Sequence, residues 1–200
     1  MLGSLIIVTF FVLGAVLGRF VEMPGFITEN DPTLYALYVL MFLVGVSIGS
    51  DKKALRALRQ QNIRIALVPL GTILGTLAGS ALISFFLQHR SMTDCLAVGS
   101  GFGYYSLSSI FITQYKGAEL GTIALASNII RELVTLLAAP FLVRYFGKLA
   151  PISVGGATTM DTTLPIITQT SGKEFVVVSI FHGITVDFTV PFLVTFFCTI

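Results

Sequence analysis

The sequence predicts an all-α integral membrane protein with about five transmembrane helices and two re-entrant broken helices, arranged as in an inverted-repeat transporter. Three observations predict it. Of 200 residues, 54% are hydrophobic and only 11% charged, against about 25% charged in an ordinary soluble domain. The apolar residues fall into runs long enough for spans of about 20 residues. Two further runs are interrupted by glycine, threonine and proline. So few charges cannot cover a soluble surface, which excludes a cytosolic enzyme, a nucleic-acid binder and a secreted disulfide scaffold. Cys95 and Cys198 lie in apolar stretches without metal or redox spacing and read as small buried hydrophobes. No cofactor, metal or catalytic residue is expected.

The first span covers residues 2–18. No basic stretch precedes it and more spans follow, so it reads as a span and not a cleaved signal. The loop 19–33 carries Arg19, Glu22, Glu29 and Asp31, and the second span covers 34–50. The loop 51–64 then holds Lys52, Lys53, Arg56, Arg59 and Arg64. By the positive-inside rule this loop is cytoplasmic. The N-terminus is then cytoplasmic and 19–33 outside. A third span, 65–87, returns outside near His89 and Arg90 and completes a three-helix segment, 1–94.

The remainder, 95–200, is less regular. The stretch 95–113 has Gly99, Gly101 and Gly103 in its first half; 119–146 is a full helix followed by Lys148; 152–167 contains Gly155, Gly156, Asp161 and Pro165; 175–200 is a final span. If 95–113 crossed fully, Arg144 and Lys148 would face outside. If it turns back they face inside, as the rule prefers. We therefore expect 95–113 to re-enter from outside and 152–167 from the cytoplasm, with the C-terminus outside. Irregular backbone at membrane depth is tolerated only inside protein or along a wet cavity, which points to a transport site. Gly99, Gly101 and Gly103 do not form a nucleotide loop, since no strand precedes them and no lysine follows. Gly71, Gly75 and Gly79 have the small-xxx-small spacing that lets helices approach closely.

Shifting the sequence by 55 residues aligns the two broken units, about 95–148 and 149–200. Gly101 falls on Gly156, Thr113-Gln114 on Thr168-Gln169, Gly117 on Gly172, Glu119 on Glu174 and Glu132 on Asp187. The shared pattern is a glycine-rich half, a Thr-Gln pair, an acidic helix start and a mid-helix acid. Opposed units with paired broken helices are a recurring design of secondary transporters, with the substrate near the midplane.

Four of the 22 charges do not sit in loops or at span ends: Arg131, Glu132, Asp161 and Asp187. His182 joins them. Ionisable groups at depth cost roughly 2.5–3.5 kcal/mol each on insertion scales and are functional candidates by default. Asn128 shares a helical face with Glu132. Asp161 lies among Thr158, Thr159, Thr162 and Thr163. A half-helix starting there would offer free N–H groups to an anion. Tyr104, Tyr105, Ser106 and Ser108 could line a polar path or satisfy broken backbone. The substrate-binding or proton-coupling candidates are Glu132, Asp161, Arg131, Asn128, Thr158, Thr159 and Ser106, with Asp187, His182 and Tyr105 behind them. One positive charge against three negative suits a cationic substrate. Lysine fits: two acids for its ammonium groups, and Arg131 or the half-helix end for its carboxylate.

Segments 100–113, 128–140, 155–172 and 177–183 together resemble the lysine exporter LysO family of bacterial inner-membrane proteins. The resemblance implies export of L-lysine and its toxic analogue thialysine and points to Glu132 and Asp161 as necessary; we expect the export to be coupled to protons, with a buried acid carrying a proton on the return stroke. It also implies about 100 further residues, roughly three helices, ahead of the matched region, which a separate small membrane protein would supply. The competing reading is a cation/proton antiporter or channel subunit without amino-acid specificity. An intramembrane protease using Asp161 and Asp187 fits less well, because glycine-rich broken stretches suit transport better.

Overall fold

The computed structural model describes residues 63–87 and 89–200, with a few isolated helical positions between Leu13 and Val46. Apart from those positions, the spans expected at 2–18 and 34–50, the loop 19–33 and nearly all of the basic loop lie outside the described residues. The chain divides into two compact units, Met1–Ser50 and Asp51–Ile200. The second unit carries the elements below.

All regular structure among the described residues is helical. A 3-10 turn, Ile63–Ala66, leads into α1, Leu67–Ser84. Then come α2, Met92–Gly99, α3, Tyr105–Lys116, and α4, Ala118–Phe146. They are followed by α5, Ala150–Gly155, a 3-10 turn, Gly156–Met160, and α6, Leu164–Ser171. A last 3-10 turn, Lys173–Phe175, opens α7, Val176–Thr199.

Three of these helices are long and apolar enough to cross a membrane. They are α1 with 18 residues, α4 with 29, and α7 with its leading turn, 27 residues in all. At 1.5 Å per residue they measure about 27, 43 and 40 Å; α4 and α7 exceed a hydrocarbon core of about 30 Å, and α1 falls within the range of about 17–25 residues seen in spanning helices. Their outer faces carry exposed Leu74, Leu137 and Phe192, as lipid contact requires. α4 runs unbroken through Pro140.

The other helices are too short to cross singly. α2 and α3 measure only about 12 and 18 Å. A capping box starts α2: the Asp94 N–H donates to Ser91 Oγ at 3.1 Å and the Ser91 N–H donates to the Asp94 carboxylate at 3.4 Å. Lys116, at the end of α3, pairs with the same Asp94 at 3.4 Å. The chain therefore returns through α3 to the end from which α2 left. Arg90 pairs with Glu119 in the first turn of α4 at that end too. Lys148, just before α5, pairs with Glu174, just after α6, at 3.1 Å. So α2–α3 and α5–α6 are two hairpins, one anchored where α4 begins and the other where it ends. Each is longer than the broken stretch expected from hydropathy, because polar caps and prolines begin its arms. Pro151 and Pro165 stand in the first turns of α5 and α6, where a missing N–H costs nothing.

Gly117 (φ 93°) and Gly172 (φ 111°), 55 residues apart, each end a hairpin. The hairpin tips meet inside the unit, where the Ala157 N–H donates to the Phe102 carbonyl at 2.9 Å. Around that contact lies the core, with Phe102, Ile112, Ile152, Ile167, Val186 and Val190 fully buried. Gly156 makes the approach possible. Its φ is +64°, and a Cβ there would run into the Phe102 carbonyl.

Gly156→Ala is therefore expected to destabilise the protein by about 2 kcal/mol or more, combining left-handed strain with overpacking. Gly71→Ala, with no described atom within 4 Å of the added methyl, is the control. Thermal unfolding of the two variants in detergent measures the difference.

Candidate functional site

The site forms where the two tips cross the middle of α4 and α7. On α4, the Asn128 carbonyl oxygen accepts from the Gly103 N–H at 2.7 Å, while its amide group donates to the Ala124 carbonyl at 2.9 Å and to Ser108 Oγ at 3.3 Å. Asn128 is thus spent on the first tip. The side-chain amide replaces a helical partner that the break removed.

One turn further on, Arg131 holds the second tip. Its Nε donates to the Val154 carbonyl at 2.7 Å and Nη2 to the Ser153 carbonyl at 3.0 Å. These are the last carbonyls of α5, which lack helical partners. The guanidinium also lies 5.9 Å from the centre of the Phe102 ring, so one side chain touches both hairpins. Nη1 makes only a 3.4 Å contact with Thr76 Oγ1 among the described residues. It faces a cleft of about 400 Å³ lined by Gly71, Thr72, Gly75 and Thr76 of α1, with Ser153 and Val154.

The threonines of the second tip close on their own backbone. Thr158 Oγ1 donates to the Gly155 carbonyl at 2.9 Å and lies 3.2 Å from Thr163 Oγ1. Thr159 Oγ1 lies 2.8 Å from the Gly156 carbonyl and 2.9 Å from the Ser179 carbonyl. The half-helix start expected near Thr158 is displaced. A 3-10 turn occupies Gly156–Met160, and α6 begins only at Leu164. The hydroxyl back-bonds hold the tight turn, and Pro165 nucleates the helix beyond it.

His182 is fully buried. Its Nδ1 is 3.1 Å from Thr159 Oγ1 and its Nε2 is 2.9 Å from Thr72 Oγ1. In either neutral tautomer one ring nitrogen donates to its threonine hydroxyl and the other accepts from its own. His182 therefore ties α7 to α1 and to the second tip.

Three acids remain. Glu132 is half-buried at the midpoint of α4 and forms no hydrogen bond or ion pair with a described residue. Asp161 is exposed beside the second tip. Among the described residues its carboxylate accepts only from the neighbouring Thr162 N–H, at 2.6 Å. Asp187 is buried at the midpoint of α7. Ser106 and Tyr105 sit exposed on the first turn of α3; the Tyr105 N–H donates to the Gly103 carbonyl of the first tip at 3.0 Å, while neither side chain hydrogen-bonds to a described residue. No cluster of three His, Cys, Asp or Glu side chains among the described residues is placed to hold a metal ion.

Two contributors escaped the sequence reading, Thr72 and Thr76. They belong to a hydroxyl stripe, Thr72, Thr76 and Ser80, each one residue after Gly71, Gly75 and Gly79. Thr72 meets His182, Thr76 meets Arg131, and Ser80 lies against Gly99. A methyl added at any of these three glycines would meet no described atom within 4 Å. The close approach is made by the hydroxyls, and the glycines keep the cleft open. The signal was in the sequence, since the hydroxyls repeat every four residues on one face.

An all-helical chain with several spanning helices and two hairpins meeting at buried charge defines a multi-pass membrane protein of the broken-helix class. The chain belongs to the lysine exporter LysO family, whose model matches residues 8–198. It is 35% identical over 168 residues to the lysine exporter LysO of Escherichia coli (strain K12), covering 84% of this chain and 55% of that protein. The chain thus spans about half the length of that relative. It is 34% identical over 170 residues to a putative lysine exporter of Haemophilus influenzae, covering 84% of this chain and 85% of that one. No solved structure matches it.

Thr72→Val should strip His182 Nε2 of its partner and cost about 1–3 kcal/mol, the usual penalty for an unsatisfied buried group. Thr72→Ser should restore most of the loss. Thermal melts of both variants in detergent provide the check.

Proposed function

We propose that the chain is the transport-site part of an L-lysine exporter of the bacterial inner membrane. One observation carries this reading: Glu132, at the midpoint of α4, and Asp161, beside the second hairpin tip, have no cationic partner among the described residues. Uncompensated carboxylates at depth invite a cationic ligand. Lysine supplies ammonium groups for both acids and a carboxylate for Nη1 of Arg131 at the cleft. The names of the two relatives agree with that substrate.

The two hairpin-plus-helix units, about 95–148 and 149–200, act as inverted repeats around the site. Their anchoring at opposite ends of α4 supports this. When lysine leaves, an acid at the site takes up a proton for the return stroke, which makes the exchange an antiport. Thialysine, a lysine analogue with the same charges, follows the same route. A small membrane protein supplies companion helices, in keeping with the longer Escherichia coli relative.

The test is uptake of labelled lysine into inside-out membrane vesicles. Glu132→Gln and Asp161→Asn are each expected to reduce it more than about 10-fold, since each removes a charge that would meet an ammonium and a tenfold loss needs only about 1.4 kcal/mol. Undiminished lysine uptake in both variants would overturn the site. Sodium or proton flux without any lysine flux would favour a cation/proton antiporter or channel subunit instead.

A further inference from the structure

The geometry points to Asp187 as a further carboxylate of the binding site, one that shares an ammonium group of the transported molecule with Asp161. This rests on the lysine-export reading and deepens it. Asp187 is only 5% exposed, yet its carboxylate makes no hydrogen bond or ion pair with a described residue. Buried carboxylates are ordinarily paired.

The location says what would pair with it. Ser179, Gly183 and Asp187 follow one another at four-residue spacing along one face of α7. Thr159 meets the Ser179 carbonyl at 2.9 Å, and a methyl at Gly183 would press on Met160 and on the Ala157 carbonyl at 3.0 Å. That face is thus laid directly on the second tip, and Asp187 lies one turn beyond the contact. Asp161 follows Met160, whose backbone lies against Gly183, one turn before Asp187. Tyr104 follows Gly103 of the first tip, which lies against the Gly155 carbonyl and Thr158 of the second. The two hairpins and α7 therefore converge on a pair of carboxylates and a phenol, with no described lysine or arginine bonded to either acid. A primary ammonium, with three donors, matches two carboxylates and a phenolic oxygen. His182, one turn earlier on α7, has both ring nitrogens engaged and is not available to neutralise the pair.

The experiment uses the full chain in membrane vesicles with Cys95→Ala and Cys198→Ala as background. Asp187→Cys is introduced and converted to a mixed disulfide by a positively charged methanethiosulfonate, with methanesulfinate leaving. At lysine ten times its Kd, simple occupancy slows this disulfide formation about 10-fold. Norleucine, which lacks the side-chain ammonium, is expected to give no protection at equal ionic strength. In parallel, Asp187→Asn should raise the KM for lysine while Asp187→Glu keeps it near the unaltered value. A purely structural role would not produce protection specific to the ammonium. A thiol that does not react, one that lysine leaves unprotected, or an unchanged KM in Asp187→Asn overturns the inference while leaving Glu132 and Asp161 in place. Absence of lysine flux in the unaltered chain overturns the export reading itself, and the ammonium with it.

Discussion

Everything in the described unit depends on one buried hydrogen bond, from the Ala157 N–H to the Phe102 carbonyl. Two chain segments stop being helical in the interior, and each stop strands backbone donors and acceptors. In water such groups would be solvated; at membrane depth they must find protein partners. The tips solve part of the problem by pairing with each other. The rest falls to side chains: Asn128 for the first tip, Arg131 for the second, and the threonine hydroxyls for the turn itself. Because Asn128 and Arg131 lie on α4, while Arg131 also meets Thr76 of α1 and Thr159 meets the Ser179 carbonyl of α7, satisfying the broken backbone also packs the helices.

That requirement sorts the polar residues into two kinds. Asn128, Thr158, Thr159 and His182 are engaged with backbone or with one another and hold the tips in place. Glu132 and Asp187 have no such engagement among the described residues, and Asp161 accepts only from its own neighbour. Arg131 belongs to both kinds, with one face on the carbonyls of α5 and one nitrogen toward the cleft. Polarity alone cannot separate a residue that repairs a break from one that meets a ligand. Only the partners of each side chain do.

The sequence reading located the long helices closely. It expected 119–146 and 175–200, and the structure has Ala118–Phe146 and Val176–Thr199. Hydropathy ends abruptly there because glycine or charge follows. The glycines at 99–103 and 155–156 marked where the chain breaks, since no other residue tolerates such close backbone approach. The hairpin arms were harder to bound, because their outer turns are polar and lie among loop residues. The hydroxyl stripe on α1 was missed because threonine and serine in an apolar helix usually bond their own preceding turn. Its meaning depends on His182 and Arg131, which are distant in sequence. Asp187 was visible as an acid at depth, but its five-residue spacing from His182 suggested no shared face. The relevant neighbour was Gly183, which has no side chain to announce it.

Gly117 and Gly172 each join a hairpin to its long helix through a single residue. Geometrically this makes the hairpin a lever. α3 is 12 residues long, so its tip stands about 18 Å from its attachment. A rotation of about 10° at the glycine carries the tip about 3 Å, comparable to the hydrogen bonds that hold it. The outer ion pairs, Lys116 with Asp94 and Lys148 with Glu174, sit at the short end of that arm. The hydrogen bonds to Phe102, Asn128 and Arg131 act at the long end, where the same force exerts the greatest torque. The orientation of each hairpin is therefore governed mainly from the centre of the protein and only weakly from its surface.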